Sequence, residues 1–382
     1  MKVDTATRLK ELEEYYFSRK LEQIRQLEVK GHDVINLGIG SPDLPPHPEV
    51  VQELVSSAQL SENHGYQSYK GIPELRTAFA DFMLRHFEVS VDAGKHVLPL
   101  IGSKEGITHT SLAYLNNGDQ VLIPSLGYPT YTSVTRMVEA EPIYYPLSAD
   151  RNWQPDWDFL ESLDTSKMKL LWVNYPHMPT GAEAETETLE KLVAYAKDRN
   201  LLICHDNPYA FILNDNRKSL LQFDPQMEVT LELHSLSKSF NMAGWRVGWV
   251  CGSEQNIQSI LKIKSNVDSG SFRPIQLAAI KAVSLADEWF EKLNGVYRNR
   301  KRLVHTLLDK LGCTYSVDQK GMFVWAKVKD GSGEQLSDEI LEKYKVFITP
   351  GFIFGESGEQ FIRISLCTPE NRLQEVLNRL EL

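Results

Sequence analysis

The sequence Leu231-Glu-Leu-His-Ser-Leu-Ser-Lys-Ser-Phe-Asn-Met-Ala-Gly-Trp-Arg-Val-Gly-Trp249 contains the lysine from which the rest of the chain can be interpreted. It begins in an apolar, β-prone run, passes through a polar patch that holds Lys238, and ends in a second apolar strand. A lysine on the loop that leaves a buried strand has a rigidly held stem, and partial burial favours loss of its proton. This placement suits an amine that reacts with a carbonyl group. A surface lysine in a polar turn is the alternative.

Hydroxyl and guanidinium groups flank that lysine in the same segment. The hydroxyls of Ser235 and Ser237, together with the guanidinium of Arg246, could hold one phosphate dianion beside the amine. The segment therefore combines a candidate reactive amine with a candidate phosphate site.

Strand and helix patterns alternate from Pro48 to Cys251, which predicts an α/β fold with a mostly parallel sheet sandwiched by helices. The remainder no longer alternates and predicts a smaller α+β domain. We expect a large domain over residues 46–285 and a small domain made of residues 1–45 and 286–382. The strands predicted for the large sheet are Val97–Ile101, Gln120–Ile123, Pro142–Pro146, Lys169–Tyr175, Leu201–His205, Val229–His234 and Val247–Cys251.

Ligands of such sheets bind outside the carboxyl ends of the strands, so the residues that follow each strand are the candidates for chemistry. Asp206 follows one strand, where a buried carboxylate needs a cation such as a protonated ring nitrogen. Tyr209, a little further on, can donate to a phenolate-like oxygen. The alternative for Asp206 is a helix N-cap before Pro208.

Another strand ends in Gly102-Ser-Lys-Glu-Gly106 and is followed by a helix. The free N–H groups at the start of that helix form an anion site, to which Ser103 and Lys104 add a hydroxyl and a charge. A simple capping role for Ser103 is the alternative.

Three further candidates follow or lie within strands. Tyr128 could stack on a flat ring, although core packing would also explain it. Asn174 begins a proline-rich turn and is a possible side-chain donor. Arg363, in an otherwise apolar strand, could bind a substrate carboxylate or form an internal salt bridge. Near the N-terminus, Gly40 lets the backbone approach another group closely.

Composition and cysteine spacing limit the class of protein. The 382 residues carry a formal net charge of -10 and are 42% hydrophobic, which argues for a globular protein that binds neither nucleic acid nor an anionic membrane. No apolar run approaches the ~18 residues that a membrane-spanning helix needs, and no apolar signal core follows Met1. The four cysteines lack metal-ligand spacing, so we expect no metal site and a reducing, cytoplasmic location.

Taken together, these segments resemble the class I/II aminotransferases, aspartate aminotransferase-like enzymes of fold type I that depend on pyridoxal 5′-phosphate (PLP). The resemblance covers essentially the whole chain and is most specific in residues 235–248. The segments Asp206-Asn-Pro-Tyr209, Tyr66-Gln-Ser-Tyr-Lys-Gly-Ile-Pro-Glu-Leu-Arg76 and Arg363-Ile-Ser365 agree with it in order and spacing.

The resemblance implies a role for each candidate. Lys238 would bind the aldehyde of PLP covalently, Asp206 would pair with the ring nitrogen, Tyr209 would bond the ring hydroxyl, and Tyr128 would stack on the ring. The residues implied in phosphate binding are Ser103, Lys104, Ser235, Ser237, Arg246 and, from the other subunit of a homodimer, Tyr66.

The substrate side of the implied site contains one departure from the family pattern. Arg363 would bind the α-carboxylate, with the Gly40 backbone close by. Met178 stands where the family usually has an asparagine that donates to the cofactor and touches the substrate, and a thioether does neither. Losing one such hydrogen bond costs about 1–3 kcal/mol unless Asn174, His177 or a water replaces it.

We therefore expect an aminotransferase (transaminase) that moves an amino group from an L-amino acid to a 2-oxo acid by a ping-pong mechanism. Its active sites would lie at the subunit interface of a homodimer. A PLP-dependent β-lyase or synthase on the same scaffold is an alternative, because the sequence does not display which substrate bond is aligned with the ring. A non-catalytic PLP sensor is a further alternative, but the segment before Val34 leaves no room for a DNA-binding module.

Overall fold

The computed structural model describes residues 3–11 and 16–380. The strands in these ranges are β1 (Ile35–Asn36), β2 (Val97–Leu100), β3 (Gln120–Pro124), β4 (Glu141–Tyr145), β5 (Met168–Val173), β6 (Leu202–Asp206), β7 (Thr230–Ser235), β8 (Gly248–Cys251), β9 (Thr314–Tyr315), β10 (Phe323–Lys327), β11 (Val346–Phe347), β12 (Thr349–Pro350) and β13 (Phe361–Ser365). The α-helices are α1 (Tyr16–Val29), α2 (Pro48–Ala58), α3 (Pro73–Phe87), α4 (Ser103–Tyr114), α5 (Thr130–Met137), α6 (Trp157–Ser162), α7 (Thr186–Asp198), α8 (Leu236–Ser239), α9 (Glu254–Lys264), α10 (Arg273–Val283), α11 (Glu288–Lys310), α12 (Gly333–Tyr344) and α13 (Glu370–Arg379).

A seven-stranded sheet in the order β2-β8-β7-β6-β5-β3-β4 forms the centre of the larger part of the molecule. Its neighbours pair in parallel except at β8, which runs antiparallel to both β2 and β7. Strands β2 to β7 therefore all end at one edge of the sheet, and β8 begins at that same edge. This confirms the predicted α/β class with a mostly parallel sheet.

Both faces of this sheet are covered by helices, which explains why its central strands are almost continuously apolar. In β5, Leu170 packs in a cluster with Ile107 of α4, whereas the next residue, Leu171, packs in a separate cluster with Leu192 of α7. All four residues are fully buried. Successive side chains of one strand thus enter opposite layers of the core.

A second, antiparallel sheet in the order β12-β13-β10-β9 lies in the C-terminal part, where α11 and α13 pack against it. Helix α1 belongs with this part, because Ile24 packs with Leu341 and Phe347, and β1 pairs in parallel with β11. On this arrangement we propose the domain boundaries predicted above, 46–285 against 1–45 with 286–382. Within the described ranges, the helices lack the combination of length and apolar character that crossing a membrane requires.

Some elements differ from the sequence prediction. The apolar period of the sequence predicts one helix from Leu9 to Lys30. The structure has instead a 3-10 turn, Thr7–Glu11, and α1, with residues 12–15 outside the described ranges. The sequence also predicts one helical region from Cys251 to about Ile280. The structure divides this region into α9 and α10, with Gly270 at a φ of +80° between them. Helix α6 was not predicted, because six residues are too few to display a helical period.

Candidate active site

A cavity lies at the edge where the parallel strands end. All but three of the residues predicted for the site line it, and the exceptions are Gly40, Tyr66 and Arg363. The lining residues are Ser103, Lys104, Tyr128, Tyr131, Asn174, Met178, Asp206, Pro208, Tyr209, Ser235, Ser237, Lys238, Ala243 and Arg246.

Lys238 lies in α8, the short helix that directly follows β7. Its side chain is half-buried, and Nζ donates a hydrogen bond to the carbonyl oxygen of Gly40 at 2.7 Å, which brings Gly40 to the site. Burial lowers the pKa of Lys238, and the guanidinium groups of Arg363 and Arg246 lower it further. The alternative of an exposed lysine in a polar turn is therefore wrong, and the amine is suited to act as a nucleophile.

Asp206 is the last residue of β6 and is buried. Its Oδ2 accepts a hydrogen bond from the hydroxyl of Tyr131 at 2.9 Å. Its Oδ1 is buried and has no hydrogen-bond partner among the described residues. Burial raises the pKa of Asp206 to about 6, while the bond from Tyr131 and the charge of Lys238 act in the opposite direction. Because Asp206 belongs to a strand and a turn follows it, the alternative of a helix N-cap is wrong.

The hydroxyl and guanidinium groups predicted beside the lysine lie together. Ser235 caps α8 by accepting a hydrogen bond from the Ser237 N–H at 3.2 Å. The Ser237 hydroxyl accepts a hydrogen bond from Nη1 of Arg246 at 3.3 Å. These side chains line the same part of the cavity and can bind a dianion such as phosphate.

Two glycines allow this part of the cavity to close against the start of α4. A Cβ on Gly102, whose φ is +78°, would lie 2.2 Å from Nη2 of Arg246, and a Cβ on Gly248 would lie 2.9 Å from the Ser103 nitrogen. Helix α4 begins at Ser103 with Gly102 as its N-cap, so the alternative that Ser103 is only a capping residue is wrong. The N-terminus of α4, with the exposed Lys104 in its first turn, adds N–H groups and a charge to the dianion site.

Two tyrosines bound the cavity on the side of the expected ring. Tyr128, in the segment between β3 and α5, is half-buried, and its ring meets that of Tyr131 edge-on at 5.8 Å and 88°. It lines the cavity and also packs against the core, so ring stacking and core packing are compatible. Tyr209 is buried, which raises the pKa of its hydroxyl, so the hydroxyl keeps its proton at neutral pH and can donate.

Arg363 lies in β13 and is buried in a mostly apolar environment. Its Nη2 donates to the carbonyl oxygen of Gly38 at 2.8 Å, and its Nη1 lies 3.3 Å from the sulfur of Met178. The centre of the guanidinium is 3.9 Å from the ring centre of Phe323 and 4.5 Å from that of Phe354. Met178, noticed in the sequence only as a departure, thus lies directly beside the predicted carboxylate-binding group.

Asn174 and His177 are both engaged elsewhere. The Asn174 Oδ1 accepts a hydrogen bond from the Met178 N–H at 2.8 Å, and its Nδ2 donates to the carbonyl oxygen of the last residue of β6 at 2.6 Å. The Nδ1 of His177 faces the Thr180 hydroxyl at 2.8 Å, and Nε2 donates to the Leu126 carbonyl oxygen at 3.0 Å. His177 is therefore not placed to replace the missing asparagine, and a cofactor contact by Asn174 stays a prediction.

Tyr66 is 95% exposed and does not line the cavity of its own chain. Its predicted role from the other subunit stays a prediction. In contrast, sequence reasoning missed Tyr131, which lines the cavity. The signal that could have identified it is a tyrosine one helical turn after Tyr128, at the start of α5.

Glu232, the residue of β7 that pairs with His205 of β6, is buried and surrounded by donors. Its Oε2 accepts hydrogen bonds from the Ser219 hydroxyl at 2.9 Å and the Leu220 N–H at 2.6 Å, and lies 3.0 Å from Nδ1 of His205. Nε2 of His234 lies 2.8 Å from Oε1. Although burial raises the pKa of Glu232, the two histidines outweigh it and hold that pKa well below its usual range. This network ties β7 to β6 next to Asp206.

One group of potential metal ligands occurs among the described residues. Atoms of Glu105, His109 and Asp268 lie within 4.8 Å of one another. The amine of Lys264 lies 3.2 Å from Glu105 and also pairs with Asp268. A protein cation already balances these carboxylates, so the group is best described as a salt-bridge network.

Comparison with known proteins identifies the family of this chain. Residues 32–380 match the family model described as aminotransferase class I and II. A protein of Halothermothrix orenii named LL-diaminopimelate aminotransferase is 37% identical, covering 99% of this chain and 98% of its own length. An Aquifex aeolicus protein of the same name is 39% identical, covering 98% and 97%.

Solved structures are similar over the whole chain. Substrate-bound BacF from Bacillus subtilis has a TM-score of 0.94 at 33% identity, covering 100% of this chain and 98% of its own. A single mutant of Thermus thermophilus aspartate aminotransferase has a TM-score of 0.91 at 25% identity, covering 99% of both chains. These similarities confirm the predicted fold and the predicted aminotransferase activity. The chain belongs to the aminotransferase class I and II family.

Proposed function

We propose that this aminotransferase binds pyridoxal 5′-phosphate in the cavity at the strand ends and uses Lys238 and Asp206 as its reactive pair. The observation that carries the proposal is the environment of Asp206. Its Oδ1 is buried beside the same cavity as the Lys238 amine and has no hydrogen-bond partner among the described residues. Leaving such an oxygen without a partner is costly, so a protonated ring nitrogen is a suitable occupant.

The remaining lining residues fit the other parts of this cofactor. Ser235, Ser237 and Arg246, together with Ser103 at the N-terminus of α4, would hold the phosphate. Gly102 supports this assignment, because the space of its missing Cβ is filled by the Arg246 guanidinium. The residues that would contact the ring are Tyr128, Asn174, Tyr209 and Asp206.

PLP, when bound, supplies a ring that accepts the electron pair released when a bond to the substrate Cα breaks. Asp206, as a carboxylate, favours the protonated state of the ring nitrogen and thereby strengthens that acceptance. Lys238 is the group expected to attach to the aldehyde carbon. Once the substrate has displaced Lys238, its Nζ would take the proton from the substrate Cα as a base and would deliver that proton, as an acid, to the former aldehyde carbon of the cofactor.

Arg363 would bind the α-carboxylate of both the amino acid and the 2-oxo acid. Its guanidinium is held by the Gly38 carbonyl oxygen and by the rings of Phe323 and Phe354, so little freedom is lost on binding. Phe323 also fills the space beside Gly40, where a Cβ would lie 2.2 Å from Cζ of its ring. Gly40 thus permits the close packing that positions this side of the cavity.

We further propose a homodimer in which Tyr66 reaches the phosphate of the other subunit, and a cytoplasmic location. Tyr66, Tyr69, Val267 and Phe272 are 95%, 44%, 65% and 39% exposed, which is unusual for large apolar side chains on neighbouring loops. Pairing with a second copy would cover them, and sedimentation is expected to give twice the chain mass. The location is supported by the cysteines, which are all buried and unpaired.

The proposal is tested by borohydride reduction of the purified protein with PLP. Peptide mapping is expected to find the label on Lys238 alone, and Lys238→Ala is expected to lose both label and turnover. Lys218, whose half-buried amine donates to a main-chain carbonyl at 2.8 Å, provides the matched control as Lys218→Ala. A label on another lysine in the wild-type protein would overturn the assignment.

The amino donor is found by a panel of amino acids with 2-oxoglutarate as acceptor, followed through the absorbance of bound PLP. The relatives named LL-diaminopimelate aminotransferase make LL-diaminopimelate the first donor to test. Pyridoxamine phosphate is expected to accumulate with the amino donor alone. Release of pyruvate or ammonia without it would identify lyase chemistry instead.

A further inference from the structure

The two carboxylate oxygens of Asp206 have different surroundings. Oδ2 accepts a hydrogen bond from the Tyr131 hydroxyl at 2.9 Å, whereas Oδ1 is buried without a hydrogen-bond partner in the part of the chain that the structure describes. A carboxylate with one oxygen held and the other open presents one defined direction to a cationic partner. Tyr131 therefore decides how Asp206 faces the cavity.

The hydroxyl of Tyr131 is itself held by packing. The residue lies in the first turn of α5 and is 1% exposed. Its ring stacks on that of Trp172 at 5.1 Å and 10°, and its N–H donates to the Tyr128 carbonyl oxygen at 3.1 Å. The ring cannot turn away from Asp206 without opening this part of the core.

Protonation fixes the direction of the hydrogen bond. Burial raises the pKa of Tyr131 well above its usual value, and the charge of Asp206 raises it further. The hydroxyl consequently keeps its proton and donates. Burial raises the pKa of Asp206 to about 6 although this bond opposes the rise, so loss of the hydroxyl would leave Asp206 more easily protonated.

We propose that Tyr131 is a positioning residue for amino transfer, which keeps Asp206 ionised and turns its Oδ1 toward the ring nitrogen of the cofactor. The inference rests on the proposed function, since Tyr131 has this task only if PLP occupies the cavity. One turn of chain also links Tyr131 to Tyr128. Tyr128, which is expected to stack on the ring, and Tyr131, which orients the carboxylate, are therefore held in fixed positions relative to each other.

The test compares Tyr131→Phe with Tyr145→Phe. Tyr145 is equally buried, and its hydroxyl donates to a main-chain carbonyl at 2.9 Å, away from the cavity lining. Tyr131→Phe is expected to weaken PLP binding by up to about tenfold, which is part of what a hydrogen bond to a charged group contributes, because the bond already exists without the cofactor. It should lower kcat while the KM for the amino donor stays within about threefold. As pH is lowered, PLP should dissociate at a higher pH than from the wild-type protein.

A double-mutant cycle separates positioning from structure. In an Asp206→Asn background, Tyr131→Phe is expected to change PLP affinity by less than about twofold, because the charge on which it acts is gone. An undiminished effect in that background would overturn the inference. If Tyr131→Phe does not fold, 3-fluorotyrosine can be introduced at position 131, because its hydroxyl is a stronger hydrogen-bond donor and its shape is nearly the same. The protein with 3-fluorotyrosine is expected to bind PLP at least as tightly as the wild type. Weaker binding would overturn the inference.

The outcomes also distinguish the two proposals. If wild-type protein neither binds PLP nor is labelled at Lys238, the proposed function fails and the role of Tyr131 falls with it. If wild-type protein binds PLP and Tyr131→Phe behaves like Tyr145→Phe, only the role of Tyr131 is refuted.

Discussion

Replacing Glu232 by glutamine should strongly reduce the free energy of unfolding. Glutamine has the same shape, but its NH₂ group would face donors on whichever side it points. Oε2 accepts from the Ser219 hydroxyl and the Leu220 N–H and lies beside a ring nitrogen of His205. Oε1 accepts from Nδ2 of Asn207 at 3.4 Å and lies beside a ring nitrogen of His234. Breaking a buried ionic network by removing one partner costs about 3–5 kcal/mol, which we expect for Glu232→Gln.

Glu228→Gln provides the control, because Glu228 precedes the same strand but is 57% exposed and pairs with Lys197 at the surface. An exposed pair of this kind contributes at most about 1 kcal/mol. Urea unfolding of both variants after removal of the cofactor gives the two losses without a contribution from ligand binding. A loss for Glu232→Gln no larger than that for Glu228→Gln would refute the reasoning.

The pH dependence of this loss has a definite sign. The pKa of Glu232 is held below its usual value in the folded protein, so its contribution is fully present above the pKa of the unfolded chain, about 4.5. It is lost as pH falls through the lower folded value. The difference between wild type and Glu232→Gln should therefore shrink as the pH falls below about 5.

Three further substitutions test the cavity itself. In a fluorescence titration, Gly102→Ala should bind PLP at least about tenfold more weakly than the wild type, because the new Cβ would lie 2.2 Å from Nη2 of Arg246. Gly118 has a similar φ of +82° and open space around it, so Gly118→Ala should bind PLP as the wild type does. Arg363→Lys should raise KM for both amino donor and 2-oxo acid by about thirtyfold or more in steady-state assays, since an ammonium cannot bind a carboxylate through a planar fork, and unchanged KM values would place the carboxylate elsewhere. Met178→Asn should lower the KM for the amino acid substrate about fivefold, because it adds a hydrogen-bond donor beside Arg363, whereas Met178→Leu should leave that KM unchanged. A higher KM for the asparagine variant would show that the thioether contact is required.

Strand ends were the predictable part of the site. Asp206, Ser235 and Lys238 each follow an apolar run, and the geometry of parallel sheets brings such positions to one edge. Ser103 was found in the same way, from a glycine and a helix pattern after a strand. The alternatives weighed for Asp206 and Ser103 were excluded by the course of the backbone, which sequence patterns give only within a few residues.

Contacts between distant side chains could not be predicted. The bond from Tyr131 to Asp206 joins positions on α5 and β6, and the approach of Met178 to Arg363 joins the two parts of the molecule. Neither pair has a sequence period or a local motif. Asn174 shows the converse: its residue type suggested a ligand donor, yet its amide hydrogen-bonds the main chain on both sides.

The reversed direction of β8 has a consequence for how this enzyme acquires its cofactor. Residues on β2 and β8 that are far apart along the chain must pair before Arg246 can reach the start of α4. A ribosome-bound chain that has emerged only through α8 contains Lys238 and Asp206, but it lacks Arg246 and therefore cannot form the complete phosphate site. Strands that are far apart along the chain pair slowly during folding. We therefore expect a newly made chain to bind PLP only after the central sheet is complete.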